Sequence, residues 1–256
     1  MGKMVDAPAS LQRRNQGKPG FDAEGWPLQG EALVRYVRDL SGDTVLLGFS
    51  LGKDSLAMWL FLRDHFDIKP YYLYYFRNMS FEEEALAYYE RVFGCHIARF
   101  PHPVLYDRWR NMVHQPPEVI NLLLACQLPD FDYVDIDNIL ARVHGLMEPF
   151  TAWGYRGSDN LARYYHILRV GAAWGKNRRL YYAIWDWKMQ DVADCIRRHA
   201  VSLPRGYTLW GQSMAVPYYR NLKGIRDNFP DDWRRILDQA PLIEAEMFRW
   251  EKVGHG

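Results

Sequence analysis

The stretch Ser50-Leu-Gly-Lys-Asp-Ser55 gathers two hydroxyls, an ammonium and a carboxylate within six residues. An apolar run, residues 44–49, precedes it, and an almost unbroken apolar run, residues 56–62, follows it. The order reads as buried strand, tight polar turn and helix. Such a turn points backbone N–H groups outward from a helix N-terminus, which is a ready anion site. Ser50 and Ser55 add hydroxyl donors, Lys53 a positive charge, and Asp54 a seat for a magnesium ion. Phosphate is the anion that uses all of these together. Gly48-Phe-Ser-Leu-Gly52 also fits the spacing of a nucleophile elbow, but a hydrolase has no use for Lys53-Asp54 directly after it. A Walker A loop needs four residues between its first glycine and Gly-Lys, whereas only three separate Gly48 from Gly52.

A second set lies about a hundred residues on, in Gly154-Tyr-Arg-Gly-Ser-Asp-Asn-Leu-Ala-Arg163. Arg156 and Arg163 flank Asp159, and arginine suits forked contact with phosphate, sulfate or carboxylate. An Arg–Asp surface network is the competing reading of the same spacing. The third stretch, Trp185-Asp-Trp-Lys-Met-Gln-Asp-Val192, reads as a turn opening an amphipathic helix.

These three segments, in this order, resemble the S-G-G-x-D-S, G-x-R-x-x-E-S-x-x-R and W-t-x-x-D-V signatures of the PP-loop ATP pyrophosphatases. The similarity is to the branch that contains the phosphoadenosine phosphosulfate (PAPS) reductases, and it spans residues 31–207. Leu51 stands where that pattern has a second glycine; Asp159 and Asn160 stand where it has Glu and Ser. The resemblance implies an adenine nucleotide alpha hydrolase-like fold, in which a doubly wound, mostly parallel α/β sheet carries the phosphate loop after its first strand. It implies ATP as the nucleotide, cleaved between its α and β phosphates with magnesium. The implied nucleotide contacts are Ser50, Leu51, Gly52, Lys53, Asp54, Ser55, Gly154, Arg156 and the end of the second strand at Phe76. Lys53, Asp54, Arg156 and Arg163 carry the chemistry in this reading, and Asp54 the metal. Reductases of that branch use a C-terminal cysteine motif, and the tail here has no cysteine. Reduction of PAPS is therefore not expected.

The elements that must position these residues follow from periodicity. Residues 31–40 carry Leu33, Val34, Val37 and Leu40 at helical spacing, closed by Gly42. Residues 71–76 and 95–100 read as strands, and 80–93 as a helix with an acidic first turn closed by Gly94. Residues 105–130 give no clear pattern. Residues 132–144 read as a helix whose Asp135 and Asp137 complement its dipole rather than bind metal. Residues 180–184 read as a strand. Domain organisation is expected as a mobile or extended arm (1–30), one nucleotide-binding domain (31–207) and a helical C-terminal tail (208–256) packed on it.

Composition narrows the field further. The chain has 256 residues, a net charge of +1 and three well-separated cysteines, Cys95, Cys126 and Cys195. No global field calls for nucleic acid or a membrane surface, and neither a disulfide framework nor a zinc or iron–sulfur site follows. With no long apolar stretch, a cytoplasmic protein is expected. Three function classes stay open: an adenylylating enzyme acting on an unnamed acceptor, a nucleotide- or PAPS-binding module without turnover, and sulfur transfer or nucleic-acid modification. Lys176, Arg178 and Arg179 with Trp174 could serve nucleic acid, but a solvated loop beside a sheet strand is the preferred reading. A protein partner or a homo-oligomer also remains open.

Overall fold

The computed structural model describes residues 8–175, 178–211 and 219–253. In chain order, α1 (Ala9–Asn15) and α2 (Gly30–Ser41) lead to β1 (Thr44–Gly48), α3 (Lys53–Leu62) and β2 (Asp67–Tyr74). Next come α4 (Ser80–Phe93), β3 (Ala98–Pro101), α5 (Pro103–Arg110), α6 (Pro117–Cys126) and α7 (Tyr133–His144). Then follow β4 (Phe150–Trp153), α8 (Leu161–Val170), β5 (Ala173–Trp174), β6 (Arg179–Tyr181) and α9 (Met189–His199). The last are α10 (Arg205–Trp210), α11 (Tyr219–Asn228), α12 (Pro230–Gln239) and α13 (Ile243–Val253). Among the described residues six strands hydrogen-bond in the order β3-β2-β1-β4-β6-β5, and the sheet is mostly parallel, as expected of an α/β chain. Only β5 runs against its partner β6 among the pairs whose register is defined.

By contacts the chain forms two compact units. The first holds the chain through Tyr71 together with Ile136–Ser202; the second holds Tyr72–Asp135 and the chain from Leu203 on.

In the first unit, β1 is central. Val45, Leu46 and Leu47 are fully buried, as a strand covered on both faces requires. It pairs in parallel with β2 (Gly48 opposite Tyr71) and with β4 (Gly48 opposite Trp153). Helix α3 is apolar all round and correspondingly buried from Ser55 to Leu60. Helix α9 packs along it and buries Val192 and Cys195. The described part of the expected N-terminal arm is built into this unit. Asn15, 1% exposed, donates to the Leu168 carbonyl at 2.8 Å, Phe21 bridges to Pro27, and the Trp185 indole donates to the Leu28 carbonyl. Single anchored side chains do this, which is why no apolar period announces it.

The second unit has its own core, made by Phe76, Met79, Phe81 and Leu105 with Leu222, Ile225, Trp233, Ile236 and Met247. The fully buried Asp232 of α12 accepts from the Ser80 backbone and hydroxyl at 2.9 and 2.7 Å, tying the start of α4 to the C-terminal helices. The last fifty residues thus supply half of a core. Residues 105–130 form α5 and α6, and α6, apolar in sequence, buries none of its residues. The acidic first turn of α4 is not uniform. Glu83 pairs with Arg99, whereas Glu82 is buried, and burial pushes its carboxyl up to about 8.

Candidate functional site

Strand order reverses at β1. Helix α3 leads the chain from β1 to β2 on one side, and β4 pairs on the other. In an open parallel sheet, the crevice beyond the carboxyl ends at such a reversal is where ligands bind. The turn 49–52 leaves the carboxyl end of β1, and the turn 154–160 leaves that of β4. Two segments a hundred residues apart in sequence therefore meet at one edge of the first unit.

The first turn is closed by its own hydroxyls. The Ser55 hydroxyl donates to the Gly52 carbonyl at 3.0 Å, accepts the Ser50 N–H at 3.2 Å and lies 3.1 Å from the Ser50 hydroxyl. Leu51 adopts φ of 57°, the left-handed region a glycine enters without strain. Leu51 is 8% exposed, and the burial of its side chain offsets that strain. Gly52 is the N-cap of α3 without a side-chain cap, so the first-turn N–H groups have no intrahelical acceptor.

The second turn packs directly on the first. A Cβ on Gly154 would sit 2.7 Å from the Ser55 nitrogen and 2.9 Å from the Asp54 carbonyl carbon, so only glycine permits this approach. Arg156, 2% exposed, places its Nε 2.8 Å from Asp54 Oδ1, and its other edge contacts Asp159 and the Ser158 hydroxyl. Lys53 Nζ lies 2.5 Å from Asp54 Oδ2. Arg163 lies on the first turn of α8, its guanidinium 3.9 Å above the Tyr155 ring and 3.9 Å from Asp159. Cations and carboxylates thus alternate from Lys53 through Asp54, Arg156 and Asp159 to Arg163.

Support comes from behind. Asn160 caps α8, its side chain accepting from the Ala162 and Arg163 N–H groups at 2.8 and 3.2 Å. Gly157 donates to the Trp185 carbonyl at 2.7 Å, and the Ser158 hydroxyl donates to the Trp187 carbonyl. The third sequence segment is therefore the buttress of the arginine turn. Asp191 accepts the Lys188 N–H at 2.7 Å and fixes the start of α9.

Of the expected site residues, Ser50, Leu51, Gly52, Lys53, Asp54, Ser55, Gly154, Arg156 and Arg163 all belong to this edge. Phe76 belongs to the second unit, where it is 3% exposed in the core. Sequence reading did not foresee the stacking role of Tyr155 or the cap by Asn160; the asparagine before a helical run was the available signal. It also missed a buried cluster in the first unit. Arg178 pairs with Asp137 at 2.5 Å, reaches the Tyr71 hydroxyl at 3.2 Å and lies over Trp153. Burial raises the Asp137 carboxyl and the Tyr71 phenol alike.

The basic stretch weighed for nucleic acid is largely occupied by the protein itself. Arg178 is held as described, and Arg179 lies 4.2 Å over Phe150 and donates to the Glu148 carbonyl at 2.7 Å. Lys176 lies outside the described residues. A cavity of about 600 Å³ opens elsewhere in the first unit, between the C-terminal half of α3 and α9. Of its four carboxylates, Asp64, Asp186, Asp191 and Asp194, the last two are held by the Lys188 N–H and by Arg197, and the loop does not line it.

No family model and no curated protein matches the sequence. Among the described residues no three His, Cys, Asp or Glu side chains gather as a metal cage. A magnesium ion on Asp54 would draw its remaining ligands from phosphate oxygens and water, a coordination that magnesium favours. No helix among the described residues is long and apolar enough to cross a membrane.

Proposed function

We propose that the protein is a PP-loop enzyme of the adenine nucleotide alpha hydrolase type that binds ATP with magnesium and adenylylates an acceptor. The observation that carries this reading is the packing of Gly154 on the Asp54–Ser55 backbone, with Arg156 paired to Asp54. It joins the two sequence segments that resemble the PAPS reductase-like branch at the crevice where an α/β sheet holds phosphates.

In the reaction an acceptor oxygen attacks the α-phosphorus, the bond to the α,β-bridging oxygen breaks, and pyrophosphate leaves with the electron pair. The acceptor's proton passes to solvent. Such a displacement needs the leaving pyrophosphate neutralised and held in line. First-turn N–H groups of α3 and the Ser50 and Ser55 hydroxyls supply donors to the terminal phosphates. Lys53 supplies charge. Magnesium, when bound, is held by Asp54 and offsets charge on the leaving group. Arg156 is a positioning residue, since it is buried, forms an ion pair with Asp54 and donates to Asp159 and Ser158. Arg163, over the Tyr155 ring, orients the phosphates or an anionic acceptor.

The test is pyrophosphate release from ATP with magnesium. Lys53→Ala and Asp54→Ala should each lower it by at least about a hundredfold while the fold persists by circular dichroism. Full activity in both variants would remove the loop assignment. The sulfur-transfer reading has less support, because Cys195, the cysteine of the first unit, is buried. Cys195 is buried on α9 with its thiol pKa raised by burial, and Cys126 sits on α6.

A further inference from the structure

Asp54 stands between two cations rather than facing the crevice alone. One carboxylate oxygen lies 2.5 Å from Lys53 Nζ and the other 2.8 Å from Arg156 Nε. Arg156 is 2% exposed and its far edge is taken by Asp159 and Ser158, so it cannot turn to an incoming anion. Lys53 is about a quarter exposed and sits at the start of α3, so its ammonium is the one that can swing. The carboxylate therefore occupies the place that a phosphate oxygen would take on Lys53. A bare polyanion arriving here meets cations already compensated and a carboxylate that repels it. A polyphosphate that carries a divalent cation does not. The cation gives Asp54 a new partner, and Lys53 is released to the phosphate.

We infer, resting on the phosphate-site reading above, that Asp54 is a specificity residue. It favours metal-complexed polyphosphates over free anions such as sulfate or metal-free pyrophosphate. Asp54 is then an internal competitor for Lys53 that only a cation relieves. Selection operates at binding, before any bond is broken.

Calorimetry with inorganic pyrophosphate, in chelator or in magnesium, tests this on the intact protein without turnover. Wild type should bind pyrophosphate on the order of tenfold or more tightly with magnesium than in chelator. Asp54→Asn should bind metal-free pyrophosphate on the order of tenfold more tightly than wild type and lose most of the magnesium enhancement. Asp159→Asn, which removes a carboxylate that contacts Arg156 but not Lys53, should keep the wild-type metal dependence. Asp54→Ser carries the same expectation as Asp54→Asn, and melting curves identify which of the two is folded. If wild type binds pyrophosphate and neither folded Asp54 variant gains metal-free affinity, the inference falls while the phosphate site stands. If wild type binds no pyrophosphate in either condition, the phosphate-site reading falls and takes the inference with it.

Discussion

Gly154 and Leu51 show how differently two positions in one crevice depend on backbone. At Gly154 the limit is space. A methyl group there would press on the peptide between Asp54 and Ser55, and backbone cannot swing aside as a flexible side chain can. Gly154→Ala should cost about 1–3 kcal/mol in urea denaturation and abolish pyrophosphate binding even where the protein remains folded. Unchanged affinity would mean that the two turns separate without consequence. At Leu51 the limit is conformation, and a leucine meets it because burial of its side chain offsets about 1–2 kcal/mol of left-handed strain. Arg156 is the opposite of an exposed recognition arginine: nearly all of it is inside, and its pairings fix Asp54 and Asp159 in place.

Helix α8 starts where Asn160 lets it start. Its side chain takes two first-turn N–H groups, one of them that of Arg163, so the cap also sets the height of the guanidinium over Tyr155. Asn160→Ala should lower stability by about 1 kcal/mol, and Asn160→Asp should restore it; equal stability for all three proteins would deny the cap. Elements with a local signature were readable from sequence. Strand β1 had a continuous apolar run, and α4 an acidic first turn and a Gly94 stop. Elements defined by distant partners were not. Asp137 and Arg178 looked like a helix-dipole acid and a loop cation, since nothing in the chain joins residues 41 apart into a buried pair. Strand β2 begins at Asp67, earlier than the aromatic run suggested, because pairing with β1 starts at Asp67 opposite Thr44. Strand β6 ends at Tyr181, after which Tyr182 hydrogen-bonds to Ala172 and the chain turns through Trp185–Trp187. Helix α6 gave no face to read, and it buries no residue.

At the scale of the molecule, charge inside the second unit sets a pH response unrelated to the crevice. Burial raises Glu82 from an ordinary 4.5 to about 8, so the folded protein holds it protonated where the unfolded chain would ionise it. The sign follows: its favourable contribution is complete below about pH 4.5 and is lost as pH rises toward 8. The urea midpoint should fall between pH 5 and 8.5, and Glu82→Gln should flatten the fall; an identical slope in the variant would show that Glu82 is not its source. His102 acts on the other side. Burial lowers it to about 4, its ring accepts the Val104 N–H, and stability is lost as pH drops below 6.5 toward that value. The sheet class could be read ahead of the structure, whereas the two-unit division could not, because it depends on which distant segments share a core. That division has a consequence in time. The chain leaves the first unit after Tyr71, re-enters it at Ile136 and leaves again after Ser202. During synthesis β1 and β2 therefore emerge long before β4, and α4 emerges long before the helices that complete its core. Neither unit can close early, and both closures span long loops, which slows folding. Shortening the chain before Leu222 would not trim an appendage. It would leave Phe76, Met79 and Phe81 without the partners they wait for at the end of translation.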